Sequence, residues 1–298
     1  MSDDLVGRVT RAEIATQPEC WARAIDDAGA GVAGLPAPGE RVLALGCGTS
    51  YHVARAYAWL REAAGDGVTD GITASELPPL LRNYDRIVAI SRSGTTTEVL
   101  EAVRRFAGVP CTALLGEQGT PLADLATDVV DLSYADERSV VQTRFPTTLL
   151  MLLRAQLAGP AGLTTLLGAA RAALAGPLPA APPRQLVVLG SGWSTGIAEE
   201  AALKCRESAG LWSEAYPVGE YRHGPISVAG PGTLVWSLMP IDEGFRAAVR
   251  DTGADLEVAA GDPLVELIRL QRYAVACAQA AGRDPDNPVH LTRSVVLS

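Results

Sequence analysis

The sequence predicts an α/β protein with two parallel sheets in tandem, and three observations support this fold class. Short apolar runs alternate with helix-length periodic segments, which is typical of parallel sheets covered by helices on both faces. A proline-rich stretch at 176–183 (GPLPAAPP) interrupts the alternation of the 298-residue chain. Each half opens with a strand that runs into a glycine-rich turn, LALGCGTS at 43–50 and VVLGSGWS at 187–194, as expected after a duplication.

The first half predicts four strands and three helices. Each strand is a short, mostly apolar run, and the helices follow strands after turns rich in glycine and hydroxyl residues. The predicted strands span 41–45, 86–90, 110–115 and 128–132, and the predicted helices span 49–63, 96–106 and 146–157.

The second half repeats the alternation after the proline-rich stretch, which cannot continue a helix or a central strand and is therefore the predicted interdomain linker. The predicted strands span 185–189, 233–238 and 255–259, and the predicted helices span 196–210, 243–251 and 263–281. We therefore expect a helical segment at 1–27, a first domain at 28–175, a linker at 176–183, a second domain at 184–285 and a tail at 286–298.

Composition and charge narrow the class of protein. A hydrophobic fraction of 48% is enough for an ample core, and no apolar run approaches the roughly 20 residues of a membrane helix. The acidic, polar amino terminus has no apolar signal region, so we expect a cytoplasmic protein without a membrane partner. The net charge of −9 argues against nucleic acid, although a helix start can still hold a phosphate.

The five cysteines are scattered, and no CxxC pair or Cys/His cluster occurs. This pattern disfavours disulfide and zinc frameworks and predicts buried, reduced thiols. We expect neither a metal nor a cofactor.

The turn at 46–50 (GCGTS) follows a predicted strand and opens a predicted helix. Ligands of open α/β sheets bind at the carboxyl ends of the strands, where glycines let the backbone approach an anion. A purely structural tight turn has the same pattern. A dinucleotide fold would place a third glycine three residues on, but His52 and Val53 follow Ser50, which disfavours a nicotinamide cofactor.

The turn after the second predicted strand, SRSGTTTE at 91–98, carries five hydroxyls in seven residues at a helix start. These hydroxyls, the helix dipole and its unpaired N–H groups can all interact with a phosphate dianion. The alternative is a capping box, in which Thr95 or Thr96 caps the helix and Glu98 closes the box. One cap needs one hydroxyl, so the surplus favours phosphate binding.

Glu200, Lys204 and Glu207 are spaced i, i+4 and i+7 on a predicted helix, so their charges lie on one stripe. A solvated face with Glu–Lys pairing has the same spacing. The following segment, 214–225 (EAYPVGEYRHGP), is predicted to be a loop and contains His223, one of three histidines. Loops that concentrate such groups are often functional, which favours a catalytic region.

These motifs resemble the sugar isomerase (SIS) domain family. SRSGTTTE is similar to the family's SxSGxTxE signature, and GCGTSYHVA at 46–54 is similar to the first phosphate turn in the isomerase half of glucosamine-6-phosphate synthases. The segments at 199–225 and 284–295 resemble the catalytic helix with its loop, and the C-terminal tail, of that half. Over residues 28–298 the resemblance implies two tandem SIS domains, each a flavodoxin-like, three-layer αβα fold with a parallel five-stranded sheet, and a homodimer that binds a phosphorylated sugar.

Two departures from the synthases matter. No segment resembles their glutaminase domain, so we expect no route within this chain from glutamine to ammonia. The tail lysine that forms a Schiff base in the synthases is Arg293 here, and arginine stays protonated and does not readily form an imine. Both departures favour stand-alone relatives, which are amino-sugar-phosphate deaminases and isomerases and fructosamine-phosphate deglycases. A surface arginine is the alternative for Arg293.

The resemblance also implies roles in a proton shift between C1 and C2 of an open-chain sugar phosphate. Glu207 would be the base, and His223, from the same or a neighbouring subunit, would open the ring. Lys204 would neutralise developing negative charge, and Glu200 would orient the C1 substituent. The implied phosphate ligands are Thr49, Ser50, Ser91, Ser93, Thr96, the backbone of Val140, and Gln142, with Arg92 adding charge and Arg293 a further substrate-site candidate.

The sequence therefore favours an amino-sugar 6-phosphate deaminase/isomerase, similar to glucosamine-6-phosphate deaminases. Three alternatives stay open: a fructosamine-6-phosphate deglycase, a plain aldose–ketose phosphate isomerase, and a non-catalytic sugar-phosphate sensor. A sensor needs only the phosphate ligands, so the four candidate catalytic residues together favour an enzyme.

Overall fold

The computed structural model describes residues 6–80, 82–180 and 182–297, and it confirms an α/β fold with two parallel sheets flanked by helices. The chain divides into two compact units. The five-stranded unit comprises Thr16–Arg138, Gln142–Leu167 and Thr292–Ser298, and the four-stranded unit comprises Met1–Ala15, Ser139–Val141 and Gly168–Leu291. The units are thus discontinuous in sequence, whereas the predicted domain boundaries are contiguous stretches and stay predictions.

The five-stranded unit contains a parallel sheet in the order β2-β1-β3-β4-β5. Its central strands are buried along their length because helices cover both faces. The strands are β1 (Val42–Gly46), β2 (Thr69–Thr73), β3 (Arg86–Ser91), β4 (Cys111–Leu115) and β5 (Asp128–Asp131). The helices are α2 (Gln17–Ala30), α3 (Thr49–Ala63), α4 (Thr97–Arg105), α5 (Pro121–Leu125) and α6 (Arg144–Ala158).

The four-stranded unit contains a parallel sheet in the order β7-β6-β8-β9. Its strands are β6 (Gln185–Gly190), β7 (Ser213–Pro217), β8 (Thr233–Ser237) and β9 (Asp255–Val258). Its helices are α1 (Arg8–Ala15), α8 (Ser194–Ala209), α9 (Val218–Tyr221), α10 (Glu243–Asp251) and α11 (Pro263–Ala280), while α7 (Thr165–Ala175) contains the point along the chain where one unit gives way to the other.

The expectation of five strands in each sheet is wrong for the four-stranded unit. Over the described residues 182–297 the sheet ends at β9, after which the chain enters the 18-residue helix α11. The residues that follow α11 read RDPDNP at 283–288, and their two prolines and turn-forming residues supply no apolar run for a fifth strand.

The prediction of a loop at 214–225 is also wrong in part, because β7 occupies Ser213–Pro217 and α9 follows at once. The sequences of β2 (TDGIT) and β7 (SEAYP) contain polar residues and glycine or proline. Both are edge strands with one neighbour, so they need less apolar surface than a central strand.

In the four-stranded unit, two aspartates that follow α11 accept hydrogen bonds from backbone N–H groups at the start of α1. Asp286 accepts hydrogen bonds from the backbone N–H groups of Val9 and Thr10, each at 2.8 Å, at the start of α1. Asp284 accepts from the N–H of Gly7 at 2.9 Å. These bonds satisfy amides that a helix start leaves unpaired. No helix among the described residues is long and apolar enough to cross a membrane.

Candidate functional site

The turn after β1 brings the start of α3 close to the sheet. A Cβ atom on Gly46 would lie 2.6 Å from Cβ of Ser50, so only glycine fits there. Gly48 has a φ of +54°, a region that L side chains rarely adopt. The side chains of Thr49 and Ser50 are buried at the first turn of α3. The sequence folds here into a tight strand-to-helix turn whose hydroxyls stand beside the helix N-terminus.

In the turn after β3, two serine hydroxyls accept hydrogen bonds from other residues of the same turn. Oγ of Ser91 accepts the N–H of Gly94 at 3.0 Å, and Oγ of Ser93 accepts the N–H and the hydroxyl of Thr95 at 3.4 and 3.1 Å. A hydroxyl that accepts in this way still has its own proton to donate. Ser91 and Ser93 are therefore pre-oriented donors in a buried turn.

The capping-box alternative for this turn is wrong. Thr96 is the N-cap residue of α4 and makes no side-chain cap hydrogen bond. Within the described residues, Oε2 of Glu98 is buried and has no hydrogen-bond partner, so it does not close a box. The start of α4 therefore lacks a side-chain cap, and the amides that follow Thr97, whose own N–H donates to the carbonyl of Val295, can bind an anion.

The two turns converge because β1 and β3 are neighbours in the sheet, with Leu45 paired to Ala89 one or two residues before the carboxyl ends of the strands. The chain order reverses at this point, since β2 lies on one side of β1 and β3 on the other. Crevices at such switch points are where open α/β sheets bind ligands. We call the residues of the two turns, 46–50 and 91–97, the hydroxyl cradle.

The C-terminal tail lies against the hydroxyl cradle. The N–H of Thr97 donates to the carbonyl of Val295 at 3.2 Å, and the hydroxyl oxygen of Thr95 lies 2.9 Å from Oγ of Ser294. Arg92 is buried, and its guanidinium donates to the carbonyl of Arg293 at 3.1 Å. Arg92 thus contacts the tail, a role that its position in the motif did not reveal.

The guanidinium of Arg293 is held by an acidic side chain. Its Nη2 donates to both carboxylate oxygens of Asp136 at 2.7 and 2.8 Å, and its Nη1 donates to the carbonyl of Glu137. Burial lowers the pKa of Arg293, but the hydrogen bond and charge of Asp136 outweigh this effect, so its pKa is raised. Arg293 therefore anchors the tail to the five-stranded unit.

Sequence reasoning missed Glu137. Its buried carboxylate accepts hydrogen bonds from the backbone of Thr143 at 2.6 Å, Arg144 at 2.9 Å and Phe145 at 3.1 Å, and it thereby caps α6. The spacing of an acidic residue before a helix start was a possible signal.

In the same loop, Oε1 of Gln142 is buried and has no hydrogen-bond partner in the described residues. Val140 belongs to the four-stranded unit and Gln142 to the five-stranded unit.

The charged stripe of α8 is buried, so the solvated-face alternative is wrong. The side chains of Glu200 and Lys204 are 2% and 1% exposed, and that of Glu207 is 20% exposed. Nζ of Lys204 lies 3.3 Å from Oε1 of Glu200 and 2.5 Å from Oε2 of Glu207. One ammonium therefore joins two carboxylates, of which Glu207 is the more accessible to a ligand.

His223 is exposed in the turn that follows α9, and its backbone N–H donates to the carbonyl of Glu220 at 2.9 Å. The described part of the chain contains no group of three or more His, Cys, Asp or Glu side chains arranged to hold a metal ion.

Comparisons with known proteins show which proteins this chain is similar to. The family model for the SIS domain matches residues 37–158, which include β1 to β5 and the hydroxyl cradle. The chain therefore contains a SIS domain, and the resemblance seen in the motifs is confirmed.

Individual relatives and solved structures show in more detail what the chain is similar to. The glutamine–fructose-6-phosphate aminotransferase [isomerizing] of Aeropyrum pernix is 30% identical over 89% of this chain and 52% of its own length. The chain thus spans about half the length of the curated relatives it matches. A solved glucosamine-6-phosphate deaminase from Thermotoga maritima has a TM-score of 0.83 and 26% identity, over 96% of this chain and 99% of its own.

A tagatose-6-phosphate ketose/aldose isomerase from Escherichia coli has the same fold, with a TM-score of 0.78 at 20% identity over 96% of this chain and 95% of its own.

Proposed function

We propose that this chain is an amino-sugar 6-phosphate deaminase/isomerase. The observation that carries the proposal is the buried ammonium of Lys204 between the carboxylates of Glu200 and Glu207. Burying three charged groups is costly, and replacing them by apolar residues would often be as stable. A buried polar cluster with one carboxylate reachable is typical of an acid–base site.

The hydroxyl cradle supports a phosphate ligand. Its donors are hydroxyls and backbone N–H groups at two helix starts, and Glu98 is the one acidic residue in the first turn of either helix. We assign the phosphate to Thr49, Ser50, Ser91, Ser93 and Thr96, with the backbone of Val140 and the amide of Gln142 as further ligands. The unpartnered Oε1 of Gln142 is an acceptor, so it would pair with a sugar hydroxyl, and the phosphate would need the donor Nε2 of the same amide.

In the proposed reaction, His223 opens the ring of a 2-amino aldose 6-phosphate. Glu207 removes the proton from C2, and a proton returns at C1, which converts the aldehyde and amine into a 2-imino ketose. Lys204 stabilises the negative charge that develops on oxygen, and Glu200 orients the C1 oxygen. Water then adds to the imine, the C2–N bond breaks, and ammonia leaves beside a ketose 6-phosphate.

The likeness to the Thermotoga deaminase supports this reaction over a plain isomerase, since its TM-score of 0.83 and identity of 26% exceed the 0.78 and 20% of the Escherichia coli isomerase. We further propose that the four-stranded unit is a shortened second SIS repeat, because its strand order β7-β6-β8-β9 repeats the order β2-β1-β3-β4. The active form in this proposal is a homodimer.

A panel of hexosamine and fructosamine 6-phosphates tests the proposal, with ammonia, free amino acid and ketose phosphate measured separately and Glu207→Gln as the matched inactive control. We expect ammonia and ketose phosphate in equal amounts. Release of an amino acid would identify a deglycase, and ketose phosphate formed without ammonia would identify a plain isomerase. Binding without turnover of any compound would identify a sensor.

A further inference from the structure

The loop that carries His223 has one fully buried side chain, and Val218 and Ile226 pack partly buried against the same core cluster. Between Val218 and Val228, Tyr221 is the one buried residue, with 0% exposure, while His223 two residues later is exposed. The ring of Tyr221 lies 5.9 Å from that of Tyr216 and 6.1 Å from that of Phe245, between ring centroids. It therefore packs into the core cluster formed by β6, β8 and α10.

Nearest to His223, the backbone is fixed by short turns, and the partly buried Val218 and Ile226 lie farther from it along the chain than Tyr221 does. Helix α9 has four residues, and Gly224 has a φ of +144° with nothing within 4 Å of the position where a Cβ would lie. A turn of this length is not stable by itself, because helix nucleation costs more than one or two hydrogen bonds return. The position of His223 thus depends on the burial of its neighbour.

The hydroxyl of Tyr221 contributes nothing visible to this anchoring. It is buried and has no hydrogen-bond partner in the described residues. Burial, and next the charge of Glu214, raise the pKa of Tyr221 to about 12, so the hydroxyl stays protonated. The aromatic ring therefore supplies the attachment, and a buried unpaired hydroxyl is a net cost.

From these contacts we infer that Tyr221 is a positioning residue, whose buried ring holds the exposed imidazole of His223 in the geometry needed to open the sugar ring. The part of this inference that concerns catalysis rests on the proposed function. The part that concerns the loop does not, and the two parts have separate measurements.

Trypsin cleavage after the exposed Arg222 measures the loop without any substrate. Tyr221→Ala should raise the native-state cleavage rate at Arg222 by at least about tenfold, because truncating a buried aromatic ring removes the contact that closes the loop. Tyr221→Phe should restore the wild-type rate. Tyr273 offers a matched control, since it is equally buried in α11 and packs on Trp236 at 5.4 Å. Tyr273→Ala should not favour cleavage at Arg222, and equal cleavage of Tyr221→Ala and wild type overturns the inference.

The hydroxyls of the two tyrosines provide a second comparison. The hydroxyl of Tyr273 donates to the carbonyl of Ala180 at 3.0 Å, whereas that of Tyr221 has no partner. Tyr273→Phe should therefore lower the melting temperature, while Tyr221→Phe should leave it unchanged or raise it by about 2 °C. A clear fall for Tyr221→Phe would mean that the hydroxyl is bonded and that the ring alone is not the anchor.

A double-mutant cycle tests the link to catalysis. Tyr221→Ala should lower kcat by about tenfold or more in the wild-type background and have little further effect in the His223→Ala background. An undiminished effect in the His223→Ala background would show that Tyr221 acts by another route, which overturns the positioning role. If no sugar phosphate is turned over at all, the proposed function fails, while the cleavage and melting results still decide whether Tyr221 anchors the loop.

Discussion

The first strand of each sheet along the chain, β1 or β6, is followed by a turn of the same backbone geometry, but the side chains around the two turns differ. Gly48 and Gly192 have φ values of +54° and +57°, and in both turns the N–H of a serine, Ser50 or Ser194, donates to a carbonyl three residues before it at 3.1 Å. The repeated backbone geometry is therefore a property of the strand–turn–helix unit. It cannot by itself explain why one unit would bind phosphate.

The side chains at the next helix start make the difference. At α10 the carboxylate of Asp242 accepts the N–H of Phe245 at 2.8 Å, so this helix start is capped and negatively charged. At α4, Thr96 makes no such bond. A carboxylate repels a phosphate dianion and occupies the amide that would bind it. The comparison supports the proposed anion site in the five-stranded unit, and the four-stranded unit is distinguished by the charged cluster on α8.

If the five-stranded unit binds the phosphate and the α8 cluster performs the proton transfer, the largest expected effect is that of removing the proposed base. Glu207→Gln keeps the shape of the side chain but cannot accept a proton, so turnover should fall by about 10²–10⁴-fold while binding persists. Single-turnover assays with calorimetric binding measure both. Glu200→Gln is the matched variant on the same stripe. Near wild-type turnover in Glu207→Gln would remove Glu207 from the mechanism and make Glu200 the next candidate.

The two serines of the hydroxyl cradle should account for the next largest effect. Ser91→Ala with Ser93→Ala should weaken a phosphorylated ligand by about 1.5–3 kcal/mol for each charge-assisted bond, and hardly affect the unphosphorylated sugar. Ser194→Ala in the other unit is the control, since its Oγ is already bonded to the N–H and carbonyl of Ser191, each at 2.8 Å. Titration with glucosamine and its 6-phosphate gives the answer, and equal losses for both ligands would contradict the phosphate assignment.

A carboxylate at the N-cap position of α4 should give this helix start the side-chain cap and the negative charge that Asp242 gives to α10. Thr96→Asp should stabilise the helix by up to about 1 kcal/mol as a new N-cap, and should weaken phosphate binding by about tenfold or more through like-charge repulsion. Thr96→Asn is the neutral control, because asparagine caps equally well without the charge. Thermal melting and inorganic phosphate titration measure the two effects. If Thr96→Asp bound phosphate as well as Thr96→Asn, the charge at this helix start would have no part in binding.

The sequence predicted the local features well and the long-range ones poorly. The bounds of α3 and α10 agree with the prediction, since hydrophobic periodicity and caps are local signals. The edge strands β2 and β7 were missed because their polar sequences are stabilised by a single neighbouring strand. The contact of Arg92 with the tail joins residues 201 positions apart, and no pattern in the sequence reports such a distance. The burial of Glu200 and Lys204 was hidden for the same reason, since their spacing fits an exposed helix face equally well.

The smallest effect concerns Arg293, where the tail meets the five-stranded unit. The ion pair with Asp136 is one-third exposed, so Arg293→Ala should cost about 1 kcal/mol or less and lower the melting temperature by about 2–4 °C at most. Asp136→Asn should cost a similar amount, and the double variant should cost no more than either single one, because both remove the same contact. Additive losses would contradict the anchoring role.

The same residue decides whether the reaction has a covalent step at the tail. An imine needs an unprotonated amine, and the raised pKa of Arg293 keeps its guanidinium charged. Borohydride reduction during turnover, followed by intact-mass measurement, should therefore find no sugar adduct on the wild-type chain. Arg293→Lys is the matched control, because it restores an amine at this position and should form an adduct if the site can hold the open-chain ketose there. An adduct on the wild-type chain would refute the imine-free reaction and direct attention to Lys204, whose ammonium lies within the proposed acid–base cluster.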